Sequence, residues 1–354
     1  MIRPAFVWSL YMHAVKKTMD HHQRAMANNS PCTTCFPVGF QVIDIPSSGH
    51  DTEDTLTMGV WYPCLESRGK EKQVPDLGAQ VSQDAELLPG RYPLFVFSHG
   101  FTDSAVQGRY LAEPLAAQGW IVAAADHRDP YTRWRLQKGR ISHPNRRGIR
   151  EEVIRITRST PADRARYAYR MDEMADALQG VLTAEPFASS ISADKIAVGG
   201  HSFGGFTALG LCGTIPKRFD PRIRAAILLS SNSSGLLYTP QERSSVCMPV
   251  MLCTGEKERN NLIGSCRVAE WAAAIFADLP SPKYFLEVKG ATHASFSAGL
   301  EDESDPELAR GVASRHEVIS SYVSTFLHTH VLDASQAKEG LQGRHPLLTQ
   351  YIES

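Results

Sequence analysis

The chain has 354 residues, 42% of them hydrophobic and 21% charged, with a net charge of −1. That is ordinary globular composition with enough apolar material for a sizeable core, and the length suits an α/β enzyme with insertions. The near-zero charge gives no global field for nucleic acid, so no nucleic-acid partner is expected.

Residues 5–14 are mildly apolar, with Arg3 before them and Lys16 and Lys17 after. The run is too short for a signal peptide and lacks a clean cleavage site, although Ala25-Met26-Ala27 mimics one. An amphipathic or loosely ordered extension over 1–36 is the expectation. Nothing later approaches the roughly 18 apolar residues of a membrane span, so no transmembrane segment is expected. The seven cysteines are Cys32, Cys35, Cys64, Cys212, Cys247, Cys253 and Cys266. An odd, scattered set argues against a disulfide framework and for a reducing compartment, and a cytoplasmic location is expected. Cys32-x-x-Cys35 lies near His21 and His22 but has no second pair at zinc spacing, so neither a metal nor another cofactor is expected.

Residues 38–45 and 55–62 read as an antiparallel strand pair around Pro46-Ser47-Ser48-Gly49. Residues 66–91 are polar and read as a loop. The apolar run 92–97 predicts a buried parallel strand. Residues 105–118 predict a helix ending at Gly119, with Pro114 as a possible kink. Strand 120–125 follows.

Residues 128–158 break the rhythm, with ten Arg or Lys against three acidic residues and with Tyr131 and Trp134 interleaved. They read as an inserted cap over the site. A long helix is expected over 164–182 and a strand over 195–199. Further strands are expected at 223–229, 250–253 and 284–288, with helices at 203–212, 269–277 and within 306–327. Alternating short apolar strands and helices imply a mostly parallel central sheet with helices on both faces.

Gly200-His201-Ser202-Phe203-Gly204-Gly205 reads G-x-S-x-G between a strand and a helix. That context is a nucleophile elbow, in which glycines remove clashes at the tight turn and the serine is exposed above the sheet. A serine hydroxyl needs a base, and the base needs an orienting acid; in this arrangement both follow the serine in the chain. His293, on the loop leaving the last of these strands, is the expected base. The acid is expected after the strand at 250–253, with Glu258 the first candidate and Glu256 the alternative. Two N–H donors must meet the developing oxyanion. Phe203 supplies one by position. Phe101, after Ser98-His99-Gly100, supplies the other. His99 and His201 flank tight turns and are expected to hydrogen-bond within the scaffold. Trp134, Arg133 and Arg135 are the candidate substrate-binding residues. Arg133, Arg135, Arg146 and Arg147 would greet an anionic head group, against the simpler reading of a solvated cap surface.

The elbow, Phe97-Ser98-His99-Gly100 and the segment Val122-Ala123-Ala124-Ala125-Asp126-His127-Arg128-Asp129 together resemble the platelet-activating-factor acetylhydrolase-like branch of the α/β-hydrolases. Trp61-Tyr62-Pro63 is similar too, and the likeness runs over roughly 38–330. It implies an α/β-hydrolase domain over 37–332, with a cap-like insertion at 128–163 and a C-terminal tail at 333–354. It also implies metal-free hydrolysis of short or oxidised acyl esters, with Ser202 as nucleophile and His293 as base. One departure is visible. Mammalian members carry the acid after the strand that follows the elbow helix, and here that strand ends Leu228-Leu229-Ser230-Ser231-Asn232 without a carboxylate. Glu258, one strand later, fits the dienelactone-hydrolase-like placement. The expected function is therefore a serine carboxylic-ester hydrolase with a small-molecule ester as substrate; the oligomeric state is left open. A lactone, thioester or amide hydrolase, an acyltransferase on the same triad, and a non-catalytic binding protein of this fold are the alternatives.

Overall fold

A computed structural model describes residues 35–48, 55–65, 81–260, 266–301, 303–341 and 345–354. Residues 1–34 of the N-terminal extension, with His21, His22 and Cys32, lie outside the described residues.

Fourteen strands are described: β1 Val38–Pro46, β2 Thr55–Pro63, β3 Val81–Gln83, β4 Tyr92–Ser98, β5 Ile121–Ala125, β6 Trp134–Arg135, β7 Gly139–Arg140, β8 Ile191–His201, β9 Ile223–Leu229, β10 Val250–Gly255, β11 Arg259–Asn260, β12 Cys266–Arg267, β13 Lys283–Val288 and β14 Leu348–Glu353. The helices used below are α1 Arg109–Ala117, α2 Arg146–Arg158, α3 Ala168–Val181, α4 Phe203–Leu209, α5 Ser233–Leu237, α6 Pro240–Ser244, α7 Val268–Asp278 and α8 Pro306–Val331.

Ten strands make one sheet in the order β14-β13-β10-β9-β8-β4-β5-β2-β1-β3. The middle six, β13 to β5, run parallel. The β1–β2 hairpin joins β5 antiparallel, in the register Gly39↔Tyr62 and Val60↔Ala123. Two strands of this sheet were not anticipated. Val81–Gln83, within the expected loop, pairs parallel with β1. Leu348–Glu353, within the expected tail, pairs antiparallel with β13 and closes the other edge.

The sheet is buried on both faces, and the period of two divides each strand between two cores. Leu94 and Val96 pack with Met171, Met174, Phe206 and Ile275, under α3, α4 and α7. Phe95 and Phe97 pack with Leu111, Leu115, Tyr322 and Phe326, under α1 and α8. Helix α8 starts sharply because Asp305 accepts from the N–H groups of Glu307 and Leu308, and Pro306 needs no N–H partner. Pro114 lies in the last turn of α1 without ending it. The cap segment folds as the β6–β7 hairpin followed by α2. Asn145 caps α2 by accepting from Gly148 N–H. Among the described residues no helix is long and apolar enough to cross a membrane.

Candidate active site

Strand β8 ends at His201, and Ser202 follows with φ +53° and ψ −116°. This is a strained conformation for a residue with a side chain. The surroundings impose it. Ser202 N–H donates to Leu229 O at 2.8 Å, and Ser233 Oγ donates to Ser202 O at 3.0 Å. A Cβ on Gly200 would lie 2.3 Å from backbone atoms of Gly204, and one on Gly204 would lie 1.9 Å from Ser98 O. The two glycines therefore let α4 start against the end of β4. Phe203 is the first residue of α4, so its N–H has no partner within the helix.

His293 stands on the loop after β13. Gly290 turns that loop at φ +69°, and its N–H donates to Glu256 Oε2 at 2.8 Å. Lys257 N–H donates to Ala291 O at 2.9 Å, stitching the loop to the one after β10. Thr292 and Ser295 then form a capping box for the short turn His293–Phe296. The imidazole Nε2 comes to rest 3.0 Å from Ser202 Oγ.

Glu258 is buried, and its Oε1 accepts from Gly255 N–H at 2.7 Å. Its Oε2 is 3.4 Å from His293 Nδ1. Between them sits Ser230, whose hydroxyl is 2.6 Å from His293 Nδ1 and also contacts Glu258 Oε2 very closely. Glu256 is placed elsewhere: its carboxylate braces Gly290 rather than His293. Burial opposes charging His293, but the hydrogen bond and charge of Glu258 outweigh it, with help from Asp103, and its pKa is raised.

The loop carrying Phe101 is held from beneath by a buried polar cluster. Arg170, fully buried, donates to His99 O at 2.8 Å and to Gly100 O at 3.3 Å. Its charge is met by Asp129 through bonds of 2.8 and 2.6 Å, and Tyr169 adds a third bond to that carboxylate at 2.9 Å. His127 links Glu173 and Ser98, each at 2.8 Å. His127 N–H donates to His99 Nε2 at 3.0 Å, so the proton of His99 is on Nδ1, which donates to Gly100 O at 2.7 Å. Burial, reinforced by Arg170, pushes both histidines well below their ordinary range and keeps them neutral.

His201 differs from the expectation. Both of its ring nitrogens are buried without a hydrogen-bond partner, and the ring packs on His293 with centroids 4.7 Å apart. The His201 Nδ1 lies 3.9 Å from Asp103 Oδ2.

A cleft of about 540 Å³ opens over these groups, lined by Phe101, Arg133, Ser202, Phe203, Asn232, Leu236, His293 and Leu300. The cap supplies Ile149, Val153 and Ile156 from one face of α2. Of the three expected substrate-binding residues, only Arg133 lies in it. Trp134 is in the β6–β7 hairpin beside Arg140, outside the cleft lining. Arg135 lines a separate polar cavity of about 360 Å³ and donates to His127 O at 2.7 Å. Arg133, just before β6, donates to Thr102 Oγ1 at 2.9 Å and lies 3.6 Å from the Asp103 carboxylate, whereas Arg135 turns to His127 O, so their different partners draw the two arginines to different cavities. Arg146 and Arg147 are exposed on the outer side of α2, where Arg147 pairs with Glu151 at 2.8 Å.

Two contributors escaped the sequence reading. Arg170 carries a visible signal, because it falls inside the buried stripe Tyr167, Met171, Met174 and Leu178 of the α3 region, where a charge needs a partner. Ser230 carries none beyond its place at a strand's carboxyl end.

The parallel sheet, the elbow and the loops at its carboxyl edge define an α/β-hydrolase. Among solved structures, a ferulic acid esterase from Streptomyces cinnamoneus shares this fold, with a TM-score of 0.60, 24% identity, and coverage of 91% of this chain and 95% of that one. A family model described as platelet-activating factor acetylhydrolase, isoform II, matches residues 65–186 and stops before the elbow. The chain is 26% identical to a platelet-activating factor acetylhydrolase of Gallus gallus over 270 residues, 66% of this chain and 60% of that one. It is 29% identical to that of Bos taurus over 169 residues, 42% and 37% of the two chains. The matches thus span about 60% or less of these curated relatives. Within its fold class, the chain is similar to the platelet-activating factor acetylhydrolases.

Proposed function

We propose that the chain is a serine carboxylic-ester hydrolase working through Ser202, His293 and Glu258, on short-chain or phospholipid-like acyl esters. The observation that carries this reading is the 3.0 Å approach of His293 Nε2 to Ser202 Oγ at the floor of a largely apolar cleft. Ser202 attacks the ester carbonyl as His293 takes its proton. The N–H groups of Phe101 and Phe203, on adjoining rims with rings 6.3 Å apart, receive the oxyanion. His293 then protonates the leaving alcohol, and water repeats the sequence on the acyl-enzyme.

The lining supports this substrate class. Ile149, Val153, Ile156 and Leu236 suit an acyl chain, while Arg133 offers a cation to an anionic head group. The test is hydrolysis of p-nitrophenyl esters of graded chain length by wild type and Ser202→Ala, alongside fluorophosphonate labelling. Activity and labelling that vanish in the variant support the reading. A folded wild type that neither hydrolyses any ester nor takes the label overturns it.

A further inference from the structure

Ser230 follows β9 directly and has no role in the triad as proposed above. Its φ is +48°, a left-handed conformation unfavourable for a residue with a side chain. The backbone is held there by a hydrogen bond from Ser230 N–H to Cys253 O at 2.7 Å. The residue is buried, and its hydroxyl touches Glu258 Oε2 and His293 Nδ1 together. The direct His293–Glu258 separation of 3.4 Å is longer than an ordinary N–H···O bond, whereas the 2.6 Å from Ser230 to His293 is short.

Proton counting assigns the directions. A hydroxyl has one proton and two lone pairs, and a carboxylate only accepts. The Ser230 proton therefore goes to Glu258, and the Ser230 oxygen accepts from His293 Nδ1–H. The opposite tautomer would leave two acceptors competing for one proton. With Nδ1 protonated, Nε2 presents its lone pair to Ser202, the state a general base requires. Glu258 Oε1 is occupied by Gly255 N–H, so the carboxylate is anchored to the end of β10 while its other oxygen faces Ser230.

We propose that Ser230 is a positioning residue that couples Glu258 to His293 through its hydroxyl. This rests on the triad reading of the preceding subsection. When Ser202 gives its proton to Nε2, the imidazolium is stabilised through Nδ1–H to Ser230 Oγ and Ser230 O–H to Glu258. No proton is transferred along that chain, and Ser230 and Glu258 end the step as they began it.

The test uses the full chain with Ser230→Ala and Ser230→Gly, each alone and combined with Glu258→Gln. Glycine relieves the left-handed backbone, so it holds the fold if alanine does not. The rate of fluorophosphonate capture at Ser202 is followed across about pH 5 to 9, with kcat and KM on a p-nitrophenyl ester. The expected result is a loss of about 10- to 100-fold in capture and kcat, with little change in KM. The acid limb should also move to lower pH, and Glu258→Gln should add less than its own separate effect. Full capture with an unmoved acid limb overturns the proposal. So does a loss that multiplies with that of Glu258→Gln, since the acid then reaches His293 without Ser230. Ester hydrolysis surviving in Ser202→Ala would instead overturn the triad reading itself, whatever position 230 does.

Discussion

Gly204→Ala tests whether the elbow and the Phe101 loop share one rigid geometry. The added methyl would sit 1.9 Å from Ser98 O, 2.6 Å from Ser98 C and 2.8 Å from His99 O. All three are backbone atoms, so no side chain can swing aside. Reaching van der Waals contact needs a relaxation of about 1.5 Å between α4 and the end of β4. The carbonyls of His99 and Gly100 are held by Arg170, which resists that movement. Overpacking of this kind costs about 1–3 kcal/mol of stability. The larger effect is on chemistry. The displaced segment adjoins Phe101, whose N–H must meet the oxyanion, and a misplacement of about 1 Å costs on the order of 100-fold in rate. Urea unfolding measures the first effect, and kcat on a p-nitrophenyl ester measures the second. A folded Gly204→Ala protein with kcat within about threefold of wild type would refute the reasoning, because the oxyanion loop would then tolerate movement that the packing forbids.

Glu258→Gln should lower kcat by about 10²- to 10⁴-fold, since the acid of such a triad fixes the tautomer of the base. Glu256→Gln, which alters only the brace on Gly290, should lose under tenfold by the same kinetics. The pH profile has a definite sign. His293 acts as a base only when neutral and its pKa is raised, so kcat/KM should fall on the acid side with a midpoint above the 6.5 of free histidine; a midpoint below that value contradicts the assigned environment. Arg170→Met leaves the buried Asp129 carboxylate without its cation and should cost about 3–5 kcal/mol in chemical denaturation. A loss below about 1 kcal/mol would show that Tyr169 and the Thr102 N–H suffice.

The alternation of apolar strands and helices determined the sheet and its two cores, because burial on both faces demands continuous apolar runs. The strand at 223–229 was legible to the residue, since both ends are marked by charge or polarity. G-x-S-x-G named Ser202 because only glycines survive within 2.3 Å of neighbouring backbone. Chain order and strand ends named His293 and Glu258. Local sequence could not choose between Glu258 and Glu256, two residues apart on one loop. The turn after β10 separates them, folding Glu258 back onto Gly255 N–H beside Ser230 and His293 and leaving Glu256 to hold Gly290. The terminal strand β14 was hidden for a related reason: it lies at a sheet edge with mostly exposed side chains, so it has no apolar run to announce it. Trp134 and Arg135 were drawn to the site by composition, but tertiary partners hold them elsewhere, Arg140 beside Trp134 and His127 O for Arg135. Ser230 was the least legible, because one short polar side chain carries no periodic signal. Its place between Glu258 and His293 exists only once β9, β10 and β13 lie side by side, since three-dimensional proximity of strand ends is set by sheet order and not by sequence distance.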